Sequence, residues 1–368
     1  MPGKIRILPD HVSQVIAAGE VVERPASVVK ELMENAIDAG GSEIIVELKA
    51  GGLQLIRVID NGEGMDQEDV PVAFQRYATS KIRKAEDLYA IHTLGFRGEA
   101  LPSISQVSHV TLQTRTLHSL SGTRAICEGG EIKKISEIGC PIGTEVEVKN
   151  IFYNIPVKRK FLKSIRSELR YALHHFLRLS LSHPSISFKF IHDGRPLHDH
   201  PKTESSMVRI EAIFGKEIYS HLRPIEFEDG EIKIAGVASL PSFSKRNAEG
   251  IYFYVNQRFI KDRTIYKAVL DAYRYTLPIH QFPAVILFIT LPPSTVDVNV
   301  HPTKVEVKFR DPEKIYQTVL GSLRGVIEEG SFLPEGGISW NEGRERFSQK
   351  GAPPSFFIQE TVSSHSFL

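Results

Sequence analysis

The sequence predicts a two-domain protein, an α/β domain first and a smaller α+β domain second. Three observations carry this. The chain has 368 residues, too many for one ordinary core. A helical pattern over 25–39 runs straight into two strand runs, SEIIVELK and GLQLIRVID. After a polar loop that ends near 205, a second series of strand and helix patterns begins. Hydrophobic residues make up 41% and charged residues 24%. That balance excludes a wholly disordered chain and a collagen-like or coiled-coil rod.

Each element has a local reason. Pro25 suits a first helical turn. Val28, Val29, Leu32, Met33 and Ala36 recur at helical spacing, and Gly40–Gly41 ends the run. The two strand runs are joined by Ala50–Gly51 as a hairpin and stop at the turn-rich DNGEGM. Residues 66–106 read as mixed helix and loop. Strands follow near 109–116, 122–128 and 144–150, then one basic helix from about Val157 to Ser180. Residues 185–205 read as a strand followed by the polar loop HDGRPLHDHPKTES. The second half holds strand-like IKIAGVAS, IYFYVNQRFI, AVILFITL and KVEVKF, with helices around Asp262–Tyr275 and Pro312–Glu329. From about 331 periodicity is lost, which reads as a tail or linker. The expected division is 1–205, 206–330 and 331–368.

Charge is nearly balanced, 45 Lys+Arg against 44 Asp+Glu, a formal net charge of +1. The average shows no generally basic nucleic-acid binder and still leaves room for local patches. Two cysteines, Cys127 and Cys140, are too few for a disulfide framework and favour a reducing compartment. The longest apolar stretch, Ala284–Ile289, is strand length, far below the ~20 residues of a membrane helix. With no signal-peptide layout at the N-terminus, a cytoplasmic protein is expected. The fourteen histidines show no metal-ligand spacing. His174–His175 and the loop His192, His198 and His200 read as surface residues.

Four elements carry chemistry. On helix 25–39, Glu31, Glu34, Asn35 and Asp38 share one face opposite the apolar stripe. Such a face is often merely solvated. An asparagine beside a carboxylate can also hold Mg²⁺ while the carboxylate polarises a water; spacing does not decide between Glu31 and Glu34. Asp60-Asn61-Gly62-Glu63-Gly64 ends a strand. It is either a plain turn or a carboxylate that accepts from an exocyclic amine, with glycines admitting a flat ring. Tyr77–Lys81 and Gly95-Phe96-Arg97-Gly98-Glu99 offer Thr, Ser, Lys, Arg and glycine amides suited to phosphates. No GxxxxGK[ST] is present and no GxGxxG follows a strand, so neither the Walker nor the Rossmann mode is available. Gly143–Thr144 opens a strand.

Together these resemble a known family. IAAGEVVERPASVVKELMENAIDAG, DNGEGM, RYATSKI, LGFRGEAL and VDVNVHPTKVEVKF are similar to the MutL mismatch-repair proteins, members of the GHKL ATPase superfamily. The resemblance covers about 1–330. It implies a layered GHKL (Bergerat-type) α/β ATP-binding domain followed by a second domain like ribosomal protein S-five. Its cofactors are then ATP and Mg²⁺. By resemblance, Glu31 is the general base and Asn35 the Mg²⁺ ligand. Asp60 reads adenine, supported by Gly62, Gly64 and Thr144. Asp38, Thr79, Ser80, Lys81, Gly95, Phe96, Arg97, Gly98 and Glu99 belong to the lid and phosphate contacts. Lys304 reaches the γ-phosphate from the second domain.

The N-terminal segment to Pro25 resembles a strap that orders when two ATP-bound copies associate. Slow hydrolysis is then a switch, and self-association, a mismatch-sensing MutS-type protein and non-specific DNA, single- or double-stranded, are the implied partners. Six basic residues between Lys158 and Arg170, among them Arg159 and Lys160, and a cluster at Arg258, Lys261, Arg263 and Lys267 are either solvated faces or phosphate contacts. No endonuclease domain fits after 330, and the chain is expected to be an N-terminal part of a longer protein. A chaperone or topoisomerase module predicts no GFRGEAL. A vestigial site on a DNA-binding scaffold is disfavoured by intact Glu31, Asn35 and Asp60.

Overall fold

A computed structural model describes residues 9–82, 84, 93–95, 97–297 and 306–331. Phe96, Lys304 and the tail beyond 331 lie outside the described residues.

The chain opens with helix α1 (Asp10–Val21) and α2 (Pro25–Asp38), then strands β1 (Glu43–Lys49) and β2 (Leu55–Asp60). Short helices α3 (Asp69–Ala73) and α4 (Ala100–Gln106) precede β3 (His109–Arg115), β4 (Gly122–Glu128), β5 (Glu131–Ile138) and β6 (Gly143–Lys149). Helices α5 (Pro156–Phe161) and α6 (Ile165–Ser182) lead to the hairpin β7 (Ser187–His192) and β8 (Arg195–His200). The first sheet has the order β5-β4-β3-β6-β2-β1-β7-β8. Its pairs are antiparallel except β1 with β7. Alternation puts Ile44, Val46 and Leu48 of β1, Val110 and Leu112 of β3, and Val146 and Val148 of β6 into one core with Val28, Val29, Leu32 and Met33 of α2. The opposite face is polar there: Arg57 forks onto Glu145 (2.8 and 2.9 Å) and also meets Glu47.

The second half contains α7 (Ser206–Ser220), β9 (Leu222–Asp229), β10 (Ile232–Ser239), β11 (Ile251–Val255), β12 (Arg258–Ile260), α8 (Arg263–Ala272), β13 (Val285–Thr290), a two-stranded ladder β14 (Val296–Asp297) and β15 (Lys308–Phe309), and α9 (Pro312–Ser331). The second sheet runs β12-β11-β13-β10-β9, with β11 and β13 parallel. One face packs on α8 and α9 through Ile265, Val269, Val319 and Leu323. The other meets α6 and α7 through Leu181, Ile210, Tyr252 and Tyr254. Among the described residues no helix is long and apolar enough to cross a membrane.

Several expectations need correction. The single basic helix of 157–180 is two helices, because Leu162 is extended and Ser164 caps α6, its Oγ accepting from Ser167 N–H at 3.3 Å. The loop HDGRPLHDH contains a strand, β8. It lies at the sheet edge, where Pro196 is tolerated, and its histidines pack rather than face water. His200 is 2% exposed and stacks near Phe176 at 5.6 Å. Burial pushes its pKa down to about 3, so it is neutral and structural. IYFYVNQRFI is a hairpin, β11 and β12, turned through Asn256 (φ 48°) and Gln257 (φ 67°).

Helices α1 and α7 and strands β5 and β9 have no counterpart in the sequence reading. β5 is the other sheet edge and exposes both faces, with Lys133 and Lys134 where an edge strand resists further pairing. Gly215 (φ 83°) interrupts the pattern of α7.

Candidate functional site

Helix α2 presents Asn35 and Asp38 toward Lys81 and the Leu94–Gly95 turn, and Glu31 lies one turn earlier on the same helix. Lys30 sits beside Glu31 (2.8 Å) and Glu34 (3.0 Å). Burial works against its charge, but the two carboxylates outweigh that and hold its pKa above the ordinary lysine value. The two glutamates differ in access. Glu34 is 8% exposed, whereas the Glu31 side chain is 26% exposed.

One turn further, Lys81 Nζ donates to Asn35 Oδ1 (3.0 Å) and Asp38 Oδ2 (2.6 Å). Asp38 also accepts from Leu94 N–H (2.9 Å) and Gly95 N–H (3.0 Å). Asp38 therefore anchors the loop, and its side chain is only 4% exposed. Segments 77–81 and 97–99 form one unit: Tyr77 N–H donates to the Gly98 carbonyl at 3.0 Å. Gly98 has φ 61°, and a Cβ there would collide with the Ala78 carbonyl, so glycine is required on two counts. Thr79 Oγ1 accepts from Lys81 N–H at 3.2 Å, which sets the approach of the lysine. Ser80 is exposed, and Arg97 and Glu99 are half-buried.

Asp60 closes β2. Its Oδ1 accepts from Gly62 N–H (2.9 Å) and Thr144 N–H (3.3 Å). Burial pushes its pKa up to about 6 despite those two bonds. A Cβ on Gly62 would lie 2.5 Å from the Ala39 carbonyl, and Gly64 (φ 71°) packs on the Arg115 backbone. Two further side chains support this turn. Thr114 Oγ1 accepts from Met65 N–H (2.9 Å), donates to the Gly143 carbonyl (3.0 Å) and stands 3.0 Å from Thr144 Oγ1. It ends the inward series Val110, Leu112, Thr114, and a polar residue on an apolar face was the available signal. Asn61 Oδ1 accepts from Ser42 N–H (2.8 Å) and Glu43 N–H (2.9 Å), tying the turn to β1.

The basic candidates separate. Arg159, Lys160, Lys261 and Arg263 are exposed. Lys158 instead reaches the C-terminal end of α1, bonding the Gly19 and Val22 carbonyls, where a cation suits the helix dipole. Arg258 does not point outward with its cluster: its Nη2 donates to the Thr93 (3.0 Å) and Leu94 (3.3 Å) carbonyls beside the site.

Oxygen donors at Asn35 and Asp38 already hold one cation, the Lys81 ammonium. That hard, oxygen-only environment fits Mg²⁺, which binds through one or two protein ligands and completes its shell with phosphates and water. Among the described residues no group of three or more His, Cys, Asp or Glu side chains is arranged to hold a metal without such help.

Two family models match. Residues 20–150 match "Histidine kinase-, DNA gyrase B-, and HSP90-like ATPase", and residues 210–328 match "DNA mismatch repair protein, C-terminal domain". Proteins described as DNA mismatch repair protein MutL are 45% identical over 89% of this chain in Syntrophus aciditrophicus and 46% identical over 89% in Geobacter sulfurreducens.

The chain belongs to the MutL family.

It spans about half the length of the MutL relatives it matches, 53% and 54% of those two. Among solved structures, the N-terminal domain of a DNA repair protein superposes with a TM-score of 0.74 at 25% identity, covering 86% of this chain and 98% of that one. The Aquifex aeolicus MutL ATPase domain complexed with ADP gives 0.57 at 29% identity, covering 81% and 98%. The first sheet with its helices is thus the GHKL ATPase fold. In this MutL chain the ExxNxxDA helix meets the DNGEG turn at Ala39 and the Leu94–Gly95 turn at Asp38.

Proposed function

We propose that the chain is the ATP-driven switch of a mismatch-repair clamp. Mg²⁺-dependent ATP binding and slow hydrolysis drive association of two copies around DNA. The assembly couples mismatch recognition by a MutS-type sensor to strand incision. The observation that carries this reading is the Lys81–Asn35–Asp38 network, which joins helix α2 to the glycine-rich loop beside the Asp60 turn.

Each residue then has a task. Asp60 accepts from the adenine amine, and Gly62, Gly64 and Thr144 shape its surroundings. Asn35 would hold Mg²⁺, which supplies charge neutralisation at the phosphates. Glu31 takes the proton of the attacking water. Thr79, Ser80, Lys81, Gly95, Phe96, Arg97, Gly98 and Glu99 enclose the phosphates, with Asp38 fixing their loop. Lys304 stabilises the γ-phosphate charge and links the halves of the chain to the nucleotide state. We assign 1–205 to the ATP-binding domain, 206–330 to the transducer and 331–368 to a tail. Arg159, Lys160, Lys261 and Arg263 are the phosphate contacts to DNA.

Sizing chromatography tests the clamp directly. A non-hydrolysable ATP analogue with Mg²⁺ is expected to shift the protein from monomer to dimer, and DNA retention should fall steeply between low and moderate salt. A monomer at every concentration with the analogue bound would reject the association.

Asp60 adds a pH signature. Its pKa lies near 6 in the folded protein against an ordinary 3.8. Folding therefore binds a proton at Asp60 between those values, so the stability this group contributes is present below about pH 3.8 and is lost as pH rises through about 6. An amine donor needs the ionised carboxylate, so nucleotide affinity should weaken as pH falls below about 6. ATP's terminal phosphate titrates nearby, so the step is read as the difference between wild type and Asp60→Asn. The variant should bind about tenfold or more weaker at pH 8 and lose that difference by pH 5. Parallel calorimetric profiles across this range would remove the role.

A further inference from the structure

Arg258 reaches the nucleotide site from the second sheet. It is read from charge as one member of a basic cluster, yet its guanidinium turns inward. The hairpin that carries it is firmly held. Asn256 N–H donates to the Ile289 carbonyl (2.9 Å), Asn256 Nδ2 to the Leu291 carbonyl (3.0 Å), and Leu291 N–H to Asn256 Oδ1 (3.1 Å). The left-handed residues Asn256 and Gln257 then aim Arg258 across to residues 93–94.

There its Nη2 bridges two successive carbonyls, Thr93 at 3.0 Å and Leu94 at 3.3 Å. The next two amides of that turn, Leu94 and Gly95 N–H, are the ones that hold Asp38. Asp38 holds Lys81, and Lys81 touches Asn35. Thr93 Oγ1 bonds the Gly95 carbonyl at 2.7 Å, so the turn is a short closed unit with few ways to adjust. Arg258 grips the outer side of the unit and Asp38 the inner side. Its other amine, Nη1, is buried and has no hydrogen-bond partner among the described residues. Burial disfavours its charge, and Glu34 and Asp38 offset this in part. A half-buried arginine kept at this cost, on two carbonyls that a neutral donor satisfies equally well, is placed for more than solvation.

We propose that Arg258 is a positioning residue: by fixing the Thr93–Gly95 backbone it sets the Asp38–Lys81–Asn35 network, and so carries the orientation of the second sheet to the nucleotide. This rests on the nucleotide reading of that site. It is a separate link from the one assigned to Lys304. It withdraws Arg258 from the DNA contacts, because a guanidinium bound to two backbone carbonyls beside α2 is not offered to a phosphate.

The test uses the full chain with Mg-ATP. Wild type must bind and hydrolyse ATP; if it does neither, the nucleotide reading fails before this one is reached. Given that, Arg258→Met is expected to raise KM for ATP about tenfold with an unfolding midpoint close to wild type. Arg258→Lys, which keeps one donor in reach, should recover most of the loss. Arg258→Met in an Asp38→Asn background should add little, because both act through the same turn. Unchanged KM in both single variants overturns the proposal. So does full additivity with Asp38→Asn, and so does a variant with normal KM whose DNA retention at low salt is lost. Should Arg258→Met not fold, the KM of Arg258→Lys against wild type and its additivity with Asp38→Asn decide the matter.

Discussion

Glu31→Ala is expected to bind ATP with near-normal affinity and to lose most of its turnover, roughly 10²–10⁴-fold, the range a positioned general base contributes. Glu31 and Glu34 hold the same lysine, at 2.8 and 3.0 Å. They are one helical turn apart, so pattern alone leaves either available. Access separates them. A base must meet a water, and the Glu34 side chain is only 10% exposed while that of Glu31 is 26% exposed. Glu34→Gln therefore serves as the paired measurement, with turnover within a few-fold of wild type and its cost felt in stability, since Lys30 then loses one of two carboxylate partners inside the fold. Phosphate release measured at saturating Mg-ATP, beside calorimetric binding, decides between them. Normal turnover in Glu31→Ala would strike Glu31 from the mechanism, and a collapse confined to Glu34→Gln would transfer the role.

What the sequence made legible follows from range. Helix α2 was readable because Pro25, the spacing of Val28, Val29, Leu32, Met33 and Ala36, and the glycine stop are all local. The β1–β2 hairpin was readable for the same reason, as were the three motifs as pieces. Their junction was not. Lys81 meets Asp38 across 43 positions, and Arg258 meets Leu94 across 164. No periodicity encodes either pairing. Resemblance supplied the roles of Glu31, Asn35 and Asp60, while charge counting placed Arg258 with the wrong neighbours because it ignores which way a turn aims a side chain. Strands β5 and β8 were missed because edge strands lack the two-sided apolar pattern. In β8 the inward position is filled by His200, whose ring replaces an aliphatic group while its Nδ1 shares a hydrogen bond with Ser180. A polar run of this kind reads as loop until the partner, Ser180 on α6, is known.

Arg209 is the clearest case of a residue whose importance lies wholly in such distant partners, and its removal should be among the costliest changes to the fold. It opens the first turns of α7 and is 1% exposed. Nη1 donates to the Ser180 carbonyl (2.9 Å) and to Ser180 Oγ (2.6 Å). Nη2 donates to the carbonyls of Pro184 (3.0 Å), Ile186 (2.9 Å) and Pro201 (2.9 Å). Ser180 in turn lies 2.8 Å from His200 Nδ1. The serine oxygen accepts from Arg209 and shares a hydrogen bond with the neutral imidazole, so serine and histidine are both tied to the guanidinium. One guanidinium thus gathers the end of α6, the turn before β7 and the exit of β8. No carboxylate is among these acceptors, and burial pushes its pKa down to about 10, which still leaves it charged at neutral pH. Arg209→Met keeps the length and removes the buried charge, yet it strips the donors from four carbonyls and a hydroxyl at the root of the second half. With about 1–3 kcal/mol for each buried acceptor left unsatisfied, offset by relief of the buried charge, a loss of about 4 kcal/mol is expected. Arg209→Lys should recover only part, since a single ammonium cannot span the fork. The first urea transition, followed by far-ultraviolet dichroism, should move to clearly lower denaturant in both variants, with methionine the lower. A midpoint equal to wild type in Arg209→Met would mean that water satisfies those carbonyls, and that the apolar contacts of Leu181, Ile210 and Tyr254 hold α6 and α7 on the second sheet without the guanidinium.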